Sequence, residues 1–234
     1  MSNILDIKNL TKYYGKERVL ANINFTISKG SIVGLLGPNG SGKTTLIKVI
    51  ANLLSSYEGD ISINQHKPGY VANEFISYLP DKNHIPTWLT AYNSVNFFND
   101  FYKDFNKQKA IDMLNSMELP LHKKLKHLSR GQQEKVSLAL TMSRAAKLYI
   151  LDEPIGAVDP ASRDFIINTI INNYDKESSI IISTHIISEV EPLLDSFLFL
   201  KKGEIIMQGD ADKTREDNKK SLDQLFREVF KHAN

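Results

Sequence analysis

The sequence predicts an α/β fold whose core holds a parallel sheet, with a β-rich N-terminal part and a helical region at about residues 82–146. Three observations predict it. An apolar strand, a glycine-rich loop and a helix follow one another over residues 31–54. A second apolar run, at 147–152, ends in acidic residues, and between the two, residues 82–146 carry apolar side chains at helical spacing. We expect one domain over residues 1–234, ending in a helical tail at about 210–234.

Composition excludes several classes of protein. The chain has 234 residues, of which 41% are hydrophobic and 24% charged, with a net charge of +2 and no cysteine. Disulfides, thiolate catalysis and cysteine metal sites are therefore excluded. Because Lys and Arg are mixed with acidic residues throughout, we expect no nucleic acid partner. The sequence shows neither a signal peptide nor an apolar run of about 18 residues that would span a membrane. We expect a cytoplasmic protein that reaches a membrane only through another chain.

The first residues are expected to form strands. Residues 4–10 are strand-like, and residues 23–28 alternate apolar and polar side chains, as a half-exposed strand does. Between these strands, Tyr13 and Tyr14 precede Gly15. Two interpretations stay open here, a tyrosine ring that stacks on an aromatic base or aromatic packing at a turn. The residues alone favour packing.

Residues 37–44, with the sequence GPNGSGKT, are the motif around which the chain is organised. They match G-x-x-x-x-G-K-[ST], the phosphate-binding loop, and lie between an apolar strand at 31–36 and a helix at 45–54. Glycines let backbone N–H groups surround phosphate oxygens, and the helix N-terminus adds partial positive charge. We expect Lys43 to reach the β- and γ-phosphates of a nucleotide and Thr44 to bind Mg²⁺.

The pattern changes from strands to helices after the loop helix. Short strands are predicted at 61–63 and 75–79, and a helix at 107–117. An aromatic stripe at helical spacing precedes that helix, and helix core is the expected place of most of its members. These are Val95, Phe98, Phe101, Tyr102 and Phe105.

A further helix begins at Ser129, within the run LSRGQ. Ser129 is a good N-cap, and Gln132 lies at the third helical position, where it completes a capping box. The apolar run at 147–151 then ends in Asp152 and Glu153. In a phosphate-loop fold the strand beside the loop strand ends in a carboxylate that helps to hold Mg²⁺, which fits Asp152. Glu153 is placed to polarise a water for attack on the γ-phosphate.

In their order along the chain, these motifs resemble those of the ATP-binding subunits of ABC transporters. The set consists of GPNGSGKT at 37–44, LSRGQ at 128–132, LYILDEP at 148–154, Gly156–Asp159 and Ile180–His185. LSRGQ is the specific part, because many phosphate-loop families share the other motifs and lack this one. The resemblance covers about residues 4–209. It implies a phosphate-loop NTPase core with a parallel sheet, an N-terminal antiparallel β-subdomain and an α-helical subdomain inserted at about residues 82–146.

The resemblance implies that two such domains pair head to tail around two ATP molecules, with Mg²⁺ as the cofactor. Contacts to ATP within one subunit are expected from Gly37, Asn39, Gly40, Ser41, Gly42, Lys43, Thr44 and Thr45. The other subunit contributes Ser129, Gly131 and Gln132 to the same ATP.

The resemblance also implies roles for individual side chains. Asp152 supports Mg²⁺, Glu153 is the catalytic base, and His185 contacts the γ-phosphate. Asp159 lies at the dimer seam. Tyr14 matches the aromatic residue that stacks on adenine, which reverses the preference for packing.

Two positions depart from the family pattern. Asp81 stands where the family usually has a glutamine that senses Mg²⁺ and the attacking water. Aspartate is shorter and cannot donate a hydrogen bond when ionised, but it can approach the metal through a water. Acidic residues here resemble a group of drug- and peptide-exporting members, so we do not interpret Asp81 as inactivating. Arg130 stands where the strict signature has glycine, and it either aids phosphate binding or points to solvent, with solvent slightly favoured.

The expected function is ATP hydrolysis that drives a separate transmembrane permease, with export as the favoured direction. The protein would then be peripheral on the inner face of the membrane, paired with an identical chain or a paralogue. The segment Pro80–Phe98, with Trp88 and Tyr92, is expected to form part of the groove for the permease's coupling helix. The amphipathic tail residues at 222–230 are expected to pack on the domain itself.

Two other classes of function are weaker alternatives. Soluble ABC ATPases of translation or DNA repair have either tandem domains or a domain that is split by a long coiled coil. This chain has one motif set and no long heptad run. A monomeric phosphate-loop kinase or GTPase is opposed by LSRGQ.

Overall fold

The computed structural model describes residues 2–156 and 160–231, and the fold is α/β as predicted. The strands are β1 Asn3–Tyr14, β2 Glu17–Ser28, β3 Ile32–Leu36, β4 Glu58–Ile63, β5 Ile76–Leu79, β6 Leu148–Asp152, β7 Ser179–Thr184, β8 Ser196–Lys201 and β9 Glu204–Asp210. The helices are α1 Lys43–Ile50, α2 Tyr70–Glu74, α3 Ala91–Phe101, α4 Lys107–Ser116, α5 Arg130–Met142, α6 Pro160–Asn173, α7 Ile187–Val190, α8 Ala211–Asn218 and α9 Leu222–Lys231, with 3₁₀ turns at Leu125–His127 and Glu191–Leu193.

The N-terminal strands form an antiparallel sheet in the order β2–β1–β4. Both β1 and β2 are longer than the sequence pattern indicated. Tyr14 pairs with Glu17 at the end of the β1–β2 ladder, so the tight turn consists of Gly15 and Lys16. Gly15 has φ 59°, a left-handed conformation that glycine adopts without a steric penalty. Tyr14 therefore lies at the end of a strand, next to the turn.

The second sheet has the order β5–β6–β7–β3–β8–β9. Its strands are parallel except for β9, which pairs antiparallel with β8 at the edge. The predicted parallel core is thus confirmed, with an antiparallel edge strand added. The prediction that the strand ending in Asp152 lies beside the loop strand is wrong, because β7 lies between β6 and β3.

Both faces of this second sheet are buried, as is typical of parallel strands. In β7, Ile181 packs into one cluster with α1 and the antiparallel sheet, while Ile180 and Ile182 pack into another cluster with the helices. In β6, Ile150 and Leu151 divide between the same two clusters. This explains why these strands are continuous apolar runs. Because β3, β6 and β7 are parallel, their carboxyl ends lie at the same edge of the sheet.

The helices between β5 and β6 begin with side-chain caps. Thr90 accepts the N–H of Asn93 at the start of α3, and Ser129 and Gln132 form the predicted capping box at the start of α5. Capping satisfies N–H groups that have no partner within the helix. These helices are therefore stabilised at their ends as well as by apolar packing.

Buried Arg144 joins these helices to the sheet. Its guanidinium forms an ion pair with Asp104 at 3.0 Å and donates to the backbone oxygen of Ile76 at 2.6 Å. The same group lies 4.1 Å from the centre of the Tyr102 ring. A planar cation of this shape can satisfy all three contacts at once.

The aromatic stripe on α3 is only partly core. Val95 and Phe105 are buried, and Phe98 and Tyr102 are half-buried against the same cluster. Phe101 is 69% exposed and is the exception, so most members of the stripe pack into the core, as expected.

The tail packs on the domain, as expected. Leu222 and Leu225 on α9 are buried, and the rings of Phe226 and Phe230 contact Phe199 of β8. In the ranges that the structure describes, no helix is long and apolar enough to cross a membrane.

Candidate functional site

The glycine-rich loop connects β3 to α1 at the carboxyl edge of the sheet. Gly40 and Gly42 have φ values of 78° and 107°, which residues with a β-carbon rarely adopt. A β-carbon on Gly37 would lie 2.4 Å from the Leu200 carbonyl oxygen. These positions therefore require glycine.

Lys43, the first residue of α1, is only 5% exposed. Its Nζ donates to the carbonyl oxygen of Gly37 at 2.7 Å, so the side chain folds back over the loop. The ammonium group therefore lies inside the loop, where a phosphate group would be bound.

Asp152 ends β6 and is 1% exposed. The Ser183 hydroxyl donates to its Oδ1 at 2.5 Å, while its Oδ2 is buried and has no hydrogen-bond partner in the described part of the chain. Burial raises the pKa of Asp152, and the adjacent Ser183 and Thr44 hydroxyls act to lower it. A buried carboxylate oxygen without a partner, next to a threonine hydroxyl, fits Mg²⁺, which prefers oxygen ligands.

No group of three or more His, Cys, Asp or Glu in the described ranges could hold a metal by itself. This also fits Mg²⁺ as nucleotide enzymes bind it, with one or two carboxylates and the phosphates of the substrate.

Glu153 follows Asp152 but points elsewhere, because its φ is 51° and the backbone turns sharply after β6. Its Oε1 lies 3.4 Å from Lys43 Nζ and its Oε2 lies 3.0 Å from His185 Nδ1. The Glu153 N–H bonds to Ser183, at the end of the neighbouring strand β7. The two adjacent carboxylates thus lie in different places. Asp152 is beside Thr44, and Glu153 is between Lys43 and His185.

A cavity of about 610 Å³ opens over the loop. Its wall is formed by Val19, Asn39, Gly40, Ser41, Gly42, Lys43, Thr44, Thr45, Asp81, Arg130, Glu153, Gly156 and His185. A second cavity, of about 20 Å³, lies behind the first and is lined by Asp81, Asp152 and Glu153, among others. Most of the residues expected to contact ATP within one subunit are therefore brought together, with Asp81 and Glu153 at both cavities.

The remaining predicted residues lie elsewhere. Ser129, Gly131 and Gln132 are at the N-terminus of α5 and do not line the large cavity of their own chain. Tyr14 is 47% exposed and is also outside its wall. Asp159 lies outside the described residues.

The sequence did not predict Val19 and Ser183 as site residues, and it left the position of Arg130 undecided. Val19, near the start of β2, lines the large cavity, although nothing in its local sequence indicates this. Ser183 donates to the Asp152 carboxylate and accepts the backbone N–H of Glu153, and a polar residue at the end of an apolar strand was the available signal. Arg130 is 70% exposed and paired with Glu134 at 3.0 Å, yet it also lines the cavity, so it points to solvent at the edge of the site.

Three aromatic side chains that follow Asp81 along the chain are exposed. Trp88 is 68% exposed, and Phe97 and Phe101 on α3 are 52% and 69% exposed. Tyr92 is half-buried, with its ring 5.4 Å from that of His122. We call Trp88, Phe97 and Phe101 the aromatic surface.

Comparisons with known proteins give a consistent result. The family model described as ABC transporter matches residues 20–156, more than half of the chain. A sequence from Methanocaldococcus jannaschii, described as an uncharacterized ABC transporter ATP-binding protein, is 32% identical over 213 residues, which are 89% of this chain and 78% of that protein. The lantibiotic transport ATP-binding protein SrtF of Streptococcus pyogenes is 31% identical over 226 residues, 95% of this chain and 96% of that one.

Solved structures have the same fold. An ATP-binding subunit of an ABC transporter superposes with a TM-score of 0.87 at 28% identity, covering 97% of this chain and 99% of that one. A dimeric ATP-binding cassette bound to ADP and Pi has a TM-score of 0.77 at 24% identity and covers 88% of this chain and 98% of that one, a likeness of fold alone. With its phosphate loop, paired carboxylates and signature helix, the chain belongs to the ABC transporter family as an ATP-binding subunit and is an ATPase.

Proposed function

We propose that this subunit forms a dimer around two ATP molecules and that ATP hydrolysis by the dimer drives export through a separate membrane permease. The observation that carries the proposal is the position of Ser129 and Gly131. They begin α5 on the surface and do not line the cavity of their own chain, although Arg130 between them lies at its edge. A β-carbon built on Gly131 would meet nothing within 4 Å, so this helix end is open to close approach. Helix N-termini attract phosphate groups. The N-terminus of α5 would therefore bind the phosphates of an ATP molecule held by a second subunit.

Within one subunit, the proposed roles follow from the contacts. Lys43 releases Glu153 when ATP enters and binds the β- and γ-phosphates instead. Glu153 then accepts a proton from the water whose oxygen attacks the γ-phosphorus, and the bond from that phosphorus to the bridging oxygen breaks. His185, already 3.0 Å from Glu153, keeps the carboxylate oriented toward the water.

Mg²⁺ would be held by Thr44 and Asp152, with Asp81 reaching it through a water. When bound, the ion neutralises charge that develops on the phosphate oxygens. Asp152 is suited to this role because its Oδ2 is buried and has no partner among the described residues. Asp81 is suited because it lines both cavities beside Glu153.

The adenine would extend from the large cavity toward the β1–β2 turn. Val19 forms the wall of the cavity on this side, and Tyr14 is exposed at the end of β1. An exposed aromatic ring at this position can stack on a base. Tyr14 thus remains the proposed adenine contact, although it does not line the cavity itself.

The permease is proposed to dock on the aromatic surface. Exposed aromatic side chains are enriched at protein interfaces, and three of them within one stretch of the chain are unusual for a free surface. The connection to the cavity runs through Asn83, which bonds to Gln133 and Ser137 on α5. A movement of α5 can therefore be passed to the segment that carries Trp88. The relative named for lantibiotic transport supports a transport role, and we propose export as its direction.

The test captures the complex from its own membrane. Tagged Glu153→Gln protein is expressed in the organism that makes it, membranes are solubilised in mild detergent with ATP and Mg²⁺, and captured proteins are identified by mass spectrometry. The expected result is a polytopic membrane protein in near-equal amount. Recovery of this chain alone, or with ribosomes or soluble proteins, would overturn the transport role and favour a soluble ABC ATPase.

A matched control separates docking from nucleotide binding. Trp88→Glu is added to the Glu153→Gln protein, because a charge on the aromatic surface opposes apolar docking while leaving the phosphate loop unchanged. The double variant should bind ATP as tightly as the single variant and lose the membrane protein. Equal recovery of the membrane protein with both would place the docking surface elsewhere.

A further inference from the structure

The segment after His185 is joined to the C-terminal helices by one buried carboxylate. Glu191 lies six residues after His185, at the end of α7, and is 8% exposed. Its Oε1 accepts the N–H of Leu222 at 2.6 Å and its Oε2 accepts the N–H of Asp223 at 3.3 Å. These are the first two N–H groups of α9, which have no partner within a helix. Glu191 therefore caps α9 with a full negative charge.

The cap adds to one that α9 already provides for itself. The Ser221 hydroxyl accepts the N–H of Gln224 at 3.1 Å, and the Gln224 side chain accepts the Ser221 N–H at 3.0 Å. The helix therefore has a local capping box and does not need Glu191 in order to start. What Glu191 adds is a fixed connection between α9 and the segment that follows His185.

The other tail helix meets the same point. Arg215 on α8 donates to the backbone oxygen of Glu191 at 3.1 Å and lies 3.8 Å from its carboxylate. Apolar contacts support the joint, because Ile187, Val190 and Leu222 are buried in one cluster. Charged and apolar contacts from both tail helices thus fix residues 187–193.

His185 depends on this segment for its position. Its side chain is 43% exposed, and the contact that the structure describes for its ring is the one to Glu153 at 3.0 Å. The ring is held by this contact and by the backbone on either side of it. On one side is β7, within the sheet, and on the other is the segment that Glu191 fixes.

We propose that Glu191 is a positioning residue for ATP hydrolysis: it fixes the segment after His185 to α8 and α9 and so keeps the imidazole beside Glu153. Catalytic groups displaced by about 1 Å can lose roughly a hundredfold in rate. Loosening this joint should therefore reduce turnover while leaving the phosphate loop, and thus ATP binding, intact.

The experiment compares purified full-length Glu191→Ala and Glu191→Gln with the natural chain. Turnover and KM for ATP are measured by phosphate release, and the His185 imidazole is followed by NMR of labelled histidine, assigned with His185→Gln. For Glu191→Ala we expect kcat to fall about tenfold or more with KM within about twofold, and the imidazole signal to move. Glu191→Gln keeps an acceptor oxygen but loses the charge, so its kcat should lie between those of Glu191→Ala and the natural chain.

The control is Glu228→Gln, which removes a carboxylate of α9 whose partner is the exposed Lys220, 2.8 Å away. It should change neither kcat nor the imidazole signal. If Glu191→Ala lowers only the melting temperature, Glu191 merely holds the tail and the proposal is overturned. If Glu191→Ala fails to fold, the test uses Glu191→Gln and Arg215→Ala instead. The proposal is then overturned if both variants have the kcat and the imidazole signal of the natural chain.

Discussion

Replacing Glu153 with glutamine should tighten ATP binding as well as stop hydrolysis. In the structure the Glu153 carboxylate lies 3.4 Å from Lys43 Nζ, and the two side chains are 13% and 6% exposed. The negative charge that Lys43 faces without nucleotide is therefore that of Glu153. ATP must break this ion pair before Lys43 can bind its phosphates. Glutamine keeps the shape of the side chain and removes the charge, so this competition disappears.

The magnitude follows from the geometry of the pair. Hydrogen bonds to charged groups contribute roughly 1.5–3 kcal/mol net, and a separation of 3.4 Å is longer than the usual bond, which favours the low end. About 1.4 kcal/mol corresponds to a tenfold change in affinity. We therefore expect Glu153→Gln to bind a non-hydrolysable ATP analogue about tenfold more tightly. Loss of a general base should lower turnover by about 10²–10⁴-fold.

The assay is calorimetric titration with the analogue and Mg²⁺ at low protein concentration, beside phosphate release with ATP. The control is Glu228→Gln, which removes a carboxylate of α9 whose partner is Lys220, 2.8 Å away; because Glu228 lines neither cavity, analogue affinity should be unchanged. Unchanged or weaker affinity in Glu153→Gln would refute the competition between Glu153 and phosphate. Turnover within about threefold of the natural chain would refute the role of Glu153 as base.

Three further predictions concern other parts of the molecule. Tyr14→Ala should weaken ATP binding about tenfold or less, as expected for one stacking contact, and Tyr14→Trp should restore it in the same titration; equal affinity of all three chains would exclude stacking. Asp81→Asn should raise the Mg²⁺ concentration needed for half-maximal hydrolysis several-fold, because one negative charge near Asp152 is lost; an unchanged Mg²⁺ titration would exclude a metal role. Arg144→Lys should cost about 2–4 kcal/mol of unfolding free energy, because lysine cannot replace the planar contacts to Asp104 and the sheet; denaturant unfolding measures this, and a loss below about 0.5 kcal/mol would contradict it.

Local features of the site could be predicted from the sequence because they depend on neighbouring residues. The spacing of the loop glycines and Lys43 follows from how a backbone surrounds phosphate, and the structure has this loop between β3 and α1. The capping box of Ser129 and Gln132 is equally local and is present. In both cases the chemistry is contained within a few consecutive residues.

Strand order could not be predicted in the same way. The apolar runs of β6 and β7 look alike, because both strands are buried on both faces. Neither run indicates which of the two strands pairs with β3, and in the structure it is β7. The consequence is chemical, since Ser183 near the end of β7 can then bond to the Asp152 carboxylate and to the Glu153 N–H at the end of β6.

The exposed rings of α3 mark another limit of sequence patterns. Helical spacing places Phe98, Phe101 and Phe105 near one another, but it does not say how wide the buried face is. In the structure Phe101 stacks on Phe97, with ring centres 6.1 Å apart, on the outer side of the helix. Aromatic residues at helical spacing therefore predicted the helix and a core position for most of its members, but did not say which member would be exposed.

The conformation of Glu153 shows how two adjacent carboxylates acquire different tasks. Asp152 is the last residue of β6 and stays in line with the strand, where its side chain is buried beside Thr44 and Ser183. Glu153 has φ 51°, a conformation that costs a residue with a β-carbon roughly 1 kcal/mol or more. Without that turn the next side chain would point to the opposite face of the sheet, as successive residues of a strand do. The strained backbone instead directs Glu153 to Lys43 and His185 on the same edge. Strain at this one residue therefore turns a strand ending in two acids into a pair with separate partners, one beside Thr44 and Ser183 and one between Lys43 and His185.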